Sequence, residues 1–237
     1  MRGTIGLAVC AGMLMAGVQA YGWGLPGVGS LFPKESGAKV DVGALTVREA
    51  VLKVRVNMAT VSLASGLIEV QKACGKATEA ARLEAALAEA KKNPSDIEGT
   101  KKLCAEVNNA SAAMNRVDLD ATMNKDEARL RLGKSLLYLG VGSLLDLQAS
   151  NDARSLVGDI TGSLKAVQAS PATYGLSAAV NLTSGLSTAK FVAETVPGQL
   201  TSISQLTRGL VKYAETNKIE IPSRSEQEKM AAAMEKE

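Results

Sequence analysis

The sequence predicts an all-α fold: a helical bundle of about six or seven helices with helical hairpins, preceded by a Gly/Pro-rich N-terminal arm. Three observations predict it. Apolar residues recur at steps of three and four over most of the chain, the period of a helix with one face in a core. No stretch sustains the two-residue alternation of a strand. Helix-start patterns, in which Thr, Ser or Asn is followed within three residues by Glu, recur between the periodic stretches.

Residues 1–20, MRGTIGLAVCAGMLMAGVQA, read as a secretory signal peptide. Arg2 is followed by an apolar run too short to span a bilayer, and Val18 and Ala20 suit a cut before Tyr21. Leu7-Ala8-Val9-Cys10 resembles a lipoprotein lipobox, but Val9 fits poorly and Cys10 reads as an apolar filler that is removed. The predicted location is therefore outside the cytoplasm, periplasmic or secreted.

Residues 21–44 form the arm. They hold six glycines and two prolines, a density that marks loop. Gly22, Gly24 and Gly27 have the G-x-G-x-x-G spacing of a dinucleotide fingerprint, but no strand precedes them and Pro26 interrupts. Tyr21, Trp23 and Phe32 also lie in the arm, among only seven aromatics in the chain. They pack on the body or, as the functional reading, dock a partner, since amphipathic rings favour interfaces.

The bundle domain is assigned to residues 45–217. A first helix opens at a capping box, Thr46 to Glu49, and is ended or bent by Gly75. A second covers about 77–92 and stops at Asn93-Pro94. A box of Ser95 and Glu98 opens the third, about 96–115, which pairs with the second as an antiparallel hairpin. Asn124 caps a fourth that runs to about Gln148, and a fifth spans about 152–168. Pro171 and Pro197 bound a sixth, about 172–194, and a seventh covers about 198–216. Residues 218–237 are a charged C-terminal tail with a frayed helix around Met230 and Met234.

Charge and residue types exclude several functions. The chain has 27 basic and 24 acidic residues, and residues 1–20 hold only Arg2, so 26 remain against 24. That balance argues against nucleic acid. There is no histidine, which removes Ser-His and Cys-His catalysis and histidine metal sites. No catalytic, cofactor-binding or metal residues are assigned. Asp118-x-Asp120-x-Thr122-x-Asn124 mimics the start of a calcium loop, but Met123 and Arg129 stand where it needs Gly and Glu. Asn109 and Asn181 are glycosylation sequons inside predicted helices. The predicted mature chain keeps Cys74 and Cys104, and an oxidising compartment predicts a disulfide between them.

The function expected is that of a non-enzymatic exported helical protein, a partner-binding or structural component of the cell envelope, with a protein partner there or outside the cell. The alternative is a membrane-active, pore-forming or lipid-carrying bundle. Its candidate segments are residues 135–147, nearly all apolar, and 172–193, rich in small residues.

Overall fold

The structure, a computed structural model, describes residues 40–236. Seven helices follow in order: α1 (Val42–Ala73), α2 (Ala77–Lys92), α3 (Ile97–Met114), α4 (Leu119–Thr122), α5 (Lys125–Ala169), α6 (Pro171–Asn217) and α7 (Arg224–Met234). No strand occurs among the described residues. The all-α bundle is as the periodicity predicts.

Three long helices make the frame. The 32 residues of α1 and 45 of α5 rise about 48 and 68 Å at 1.5 Å per residue. α1 runs antiparallel to α5, as three ion-paired levels record: Arg48 meets Asp159 at 2.7 Å, Arg55 meets Asp152, and Glu69 meets Arg131 and Lys134 at 2.8 and 2.9 Å. α6 returns antiparallel to α5 after Ser170, so α1 and α6 are parallel, with Glu49 accepting from the Thr188 hydroxyl at 3.1 Å.

The core follows from this frame. At one end α1, α5 and α6 enclose Leu52, Val56, Leu156, Ile160, Leu182 and Val192, with Ile97 at the start of α3 packed against them. At the other, the α2–α3 hairpin is added, and Leu63, Leu67, Leu83, Leu103, Leu132, Leu139 and Ile203 fill the interior. The hairpin is antiparallel, tied by Arg82 to Glu106 at 2.6 Å. Nearly all of these core residues are aliphatic, as the scarcity of aromatics predicts.

α2 occupies the expected residues, and Gly75, at φ 68°, does end α1. α1 begins earlier than expected, at Val42: Asp41 is the cap, its carboxylate accepting from the Ala44 amide at 2.9 Å. Thr46 is inside the helix with its hydroxyl on the Val42 carbonyl, and Glu49 is turned into the core. Leu45 is buried, so the extra turn is stabilised by packing. Asp96, not Ser95, caps α3, accepting from the Glu98 and Gly99 amides.

Two expected breaks do not occur. α5 is continuous where two helices were predicted, because Ala149, Ser150 and Ala153 are buried and carry the core row across the junction. α6 passes through Pro197. Proline there loses a helix hydrogen bond at a cost of about 3 kcal/mol, but Val192, Val196, Gln199 and Ile203 stay buried on both sides. The non-helical residue of α6 is instead Gly175, with φ 77° and ψ 163°. The tail is not frayed either. α7 opens with a full capping box, Ser223 with Glu226, and packs through Met230, Ala231 and Met234 on Met58, Ala59, Leu137, Val141 and Leu145.

Candidate functional site

Several sequence-predicted positions do not form a site. Tyr21, Trp23 and Phe32 and the signal segment 1–20 lie outside the described residues. Asp118 and Asn124 act as helix caps, accepting from the amides of Asp120 and Ala121 and of Asp126 and Glu127. Asn109 and Asn181 are exposed on α3 and α6.

The Cys74–Cys104 disulfide is a correction: both are free, buried thiols. Cys104 touches Thr60 on α1, Sγ to Oγ1 at 3.2 Å. Cys74 lies at the far end of the same helix, beyond Ala73. The rise from residue 60 to 74 is about 21 Å, whereas a bridge needs Cα atoms within about 7 Å. Burial pushes the Cys74 thiol up, and pushes Cys104 up to about 12, so neither is a thiolate nucleophile. Alkylation should therefore label both thiols in denaturant without reductant and neither readily in the folded chain. A mass that shows one bridge instead would contradict this packing.

The least expected feature is a polar layer across the middle of the bundle. Asn57 and Thr60 enter it from α1, Thr100 and Cys104 from α3, Asp146 from α5 and Gln199 from α6. The α1–α3 part is well satisfied. Asn57 donates to the Thr100 hydroxyl at 3.0 Å, which donates to the Asp96 carbonyl at 3.1 Å. Thr60 donates to the Val56 carbonyl at 2.7 Å, which leaves the Cys104 thiol as donor to Thr60.

The α5–α6 part is not satisfied. Asp146 is 0% exposed and neither carboxyl oxygen has a partner. Gln199 is 1% exposed and neither its oxygen nor its nitrogen has one. The two are level. Ile160 packs by Gly185, and fourteen residues from that contact along each antiparallel helix lie Asp146 and Gln199. Asp146 sits one turn from Gly142, whose backbone rests on Leu63 and Ala59, so it is also level with Thr60. Burial pushes its carboxyl well above the ordinary range, and Asp146 in turn helps raise Cys104. Each unpartnered buried polar group costs about 1–3 kcal/mol. The layer can therefore hold a proton in a buried interior, but it offers no activated nucleophile.

The second feature is on the surface. α7 lies in the groove between α1 and α5. Its Gln227 side chain rests on the Gly140 backbone, where an added Cβ would come within 2.3 Å of it. Farther along, Glu235 reaches Arg55 at 2.9 Å. α7 thus runs antiparallel to α1. Past its end no other described element covers the apolar row of α1: among the described residues Val54, Val51 and Val47 are 38, 45 and 64% exposed.

Comparison with protein-family models, with curated proteins and with solved structures finds no match.

Sequence reasoning missed both features. A lone acid inside SLLYLGVGSLLDL was the available signal for Asp146. For the groove it was the spacing of Gln227, Met230, Ala231 and Met234, a helical anchor row in a segment that reads as charged tail.

Proposed function

We propose that the chain is a non-enzymatic, exported helical protein that binds a protein partner in the cell envelope or outside the cell. The observation that carries the reading is the exposed valine row of α1 in line with the seat of α7. Three valines on one helix face, continuous with a groove already filled by a helix, make a surface suited to a further helical ligand. The buried, high-pKa thiols favour a binding role over covalent catalysis.

The test is a photo-crosslinker at Val51 in exported protein. A cross-link to a different protein, lost when Val47 is replaced by Asp, is expected. Cross-links only to this chain, or to none, sink the proposal. N-terminal sequencing of the same material should begin at Tyr21, and lipid on Cys10 would overturn that cleavage site.

The membrane-active alternative draws on a different element from the two apolar segments of the sequence. Residues 135–146 are buried or half-buried, and much of 172–193 faces solvent. α1, by contrast, is long and apolar enough to cross a bilayer, with 61% of its most apolar stretch buried. Dye release from liposomes is the test, and no leakage from vesicles of anionic or neutral lipid removes the alternative.

A further inference from the structure

We infer that α7 is a displaceable occupant of the α1–α5 groove, and that the groove takes, in its place, an amphipathic helix of a protein partner longer than α7 and carrying an acid for Arg55. The inference rests on the partner-binding reading and names the surface and the ligand chemistry. Four observations carry it.

First, α7 presents the anchors of a helix-in-groove ligand: Gln227, Met230, Ala231 and Met234 stand at i, i+3, i+4 and i+7. Ala231 allows close approach, and the two methionines adapt to the groove walls. Second, α7 is weakly held. It has 11 residues, too few for a helix stable by itself, and Ala231 is its one buried side chain. What it covers is more apolar than it is: Ala59, Val141 and Leu145 are 0% exposed beneath it. Third, the groove has a charge requirement. Arg55 is mostly buried and bridges Asp152 and Glu235, so a replacement helix without an acid at that level leaves the guanidinium half-paired. Fourth, the seat is longer than its occupant. From Arg55 to Val47, α1 continues for about 12 Å, and Val54, Val51 and Val47 are there to be covered. A helix two turns longer than α7 gains that burial in addition to every contact α7 makes.

The experiment uses the full chain and two fluorescent peptides, read by anisotropy. The short peptide has the sequence of residues 223–237. The long one adds two helical turns with leucines four and seven residues beyond the position of Met234. The tethered α7 competes at high effective concentration, so the short peptide should bind the unaltered chain weakly. Ala231→Asp, which undocks α7 and leaves the groove intact, should tighten it about tenfold or more. The long peptide should bind the unaltered chain about tenfold tighter than the short one and lose that advantage in Val51→Asp. Met234→Asp serves as a second undocking variant, with circular dichroism to confirm the bundle. Equal short-peptide binding with and without α7 docked, or no binding of either peptide, overturns the inference. So does a dimer that exchanges α7 between copies, which assigns the groove to this chain itself. Peptide binding as expected, with no foreign protein cross-linked at Val51, keeps the groove and removes the partner reading.

Discussion

Asp146→Asn is expected to raise the melting temperature at pH 8 and to leave it little changed near pH 4. The reason is proton linkage. Burial raises the folded-state pKa of Asp146 well above its unfolded value. Between the two values the folded chain holds a proton that the unfolded chain has released. Stability therefore falls as pH rises through that window, by about 1.4 kcal/mol per pH unit, and levels off above the folded pKa. Asparagine has nearly the same shape and no such proton. The difference between the two proteins should be small at the acid end, grow through the window and then stay constant. Among the described residues neither Asp146 oxygen has a hydrogen-bond partner and burial is what raises its pKa, while Thr60, Cys104 and Gln199 are the groups at its level. Glu69 titrates the other way. Burial raises it, but hydrogen bonds from Lys134 and Arg131 and their charges outweigh that and hold it below the ordinary carboxylate range. Because Glu69 is present in both proteins, it cancels in the difference. Thermal melts of both proteins from pH 4 to 9 decide the matter. Parallel curves would mean that Asp146 finds a partner in solution and is ionised throughout.

How much of this was legible depends on whether the deciding force was local. α2 was readable to the residue because Gly75 at one end and Asn93-Pro94 at the other each fix the backbone by themselves. Asn124 was readable as a cap for the same reason. Pro197 misled because its local penalty is real, yet tertiary burial of Val196, Gln199 and Ile203 outweighs it. The start of α1 was hidden by Gly37 and Gly43, which gave the segment a loop composition although Asp41 supplies a cap and Leu45 a buried anchor. The disulfide expectation rests on compartment, and compartment says nothing about register. Only the pairing of Thr60 with Cys104 shows that Cys74 is far away. Gln199 could not be linked to Asp146 from sequence at all, since the two are level only because α5 and α6 fold back on each other at Ser170. The groove was legible in its anchors but not in its walls, which come from α1 and α5 together.

The second large effect concerns glycines that the sequence places alike and the fold does not. Gly66 of α1 and Gly142 of α5 face each other's helices at close approach. A Cβ on Gly66 would stand 2.7 Å from Leu139 Cγ and 3.0 Å from the Ser135 carbonyl oxygen. One on Gly142 would stand 2.6 Å from Leu63 Cγ and 2.9 Å from the Ala59 carbonyl oxygen. The leucines can turn, but the carbonyls belong to helix backbone, so α1 and α5 must move apart. That separation would loosen Leu63 and Leu139, both buried in the core, and the interior tolerates overpacking poorly. Against this, alanine in a helix gains about 1 kcal/mol over glycine. The net expectation for Gly66→Ala or Gly142→Ala is a loss of about 1–3 kcal/mol, and the bulkier Gly142→Leu should cost more and threaten the fold. Gly158 and Gly162, also within α5, have nothing within 4 Å of an added Cβ. Alanine there meets no clash, and each substitution should stabilise by about 0.5–1 kcal/mol. Chemical denaturation of the four single variants tests the α1–α5 packing directly. Opposite signs for the two pairs are required. If Gly66→Ala and Gly142→Ala stabilise as much as Gly158→Ala, the two long helices do not touch where the structure brings them together, and the polar layer one turn beyond Gly142 loses its enclosure as well.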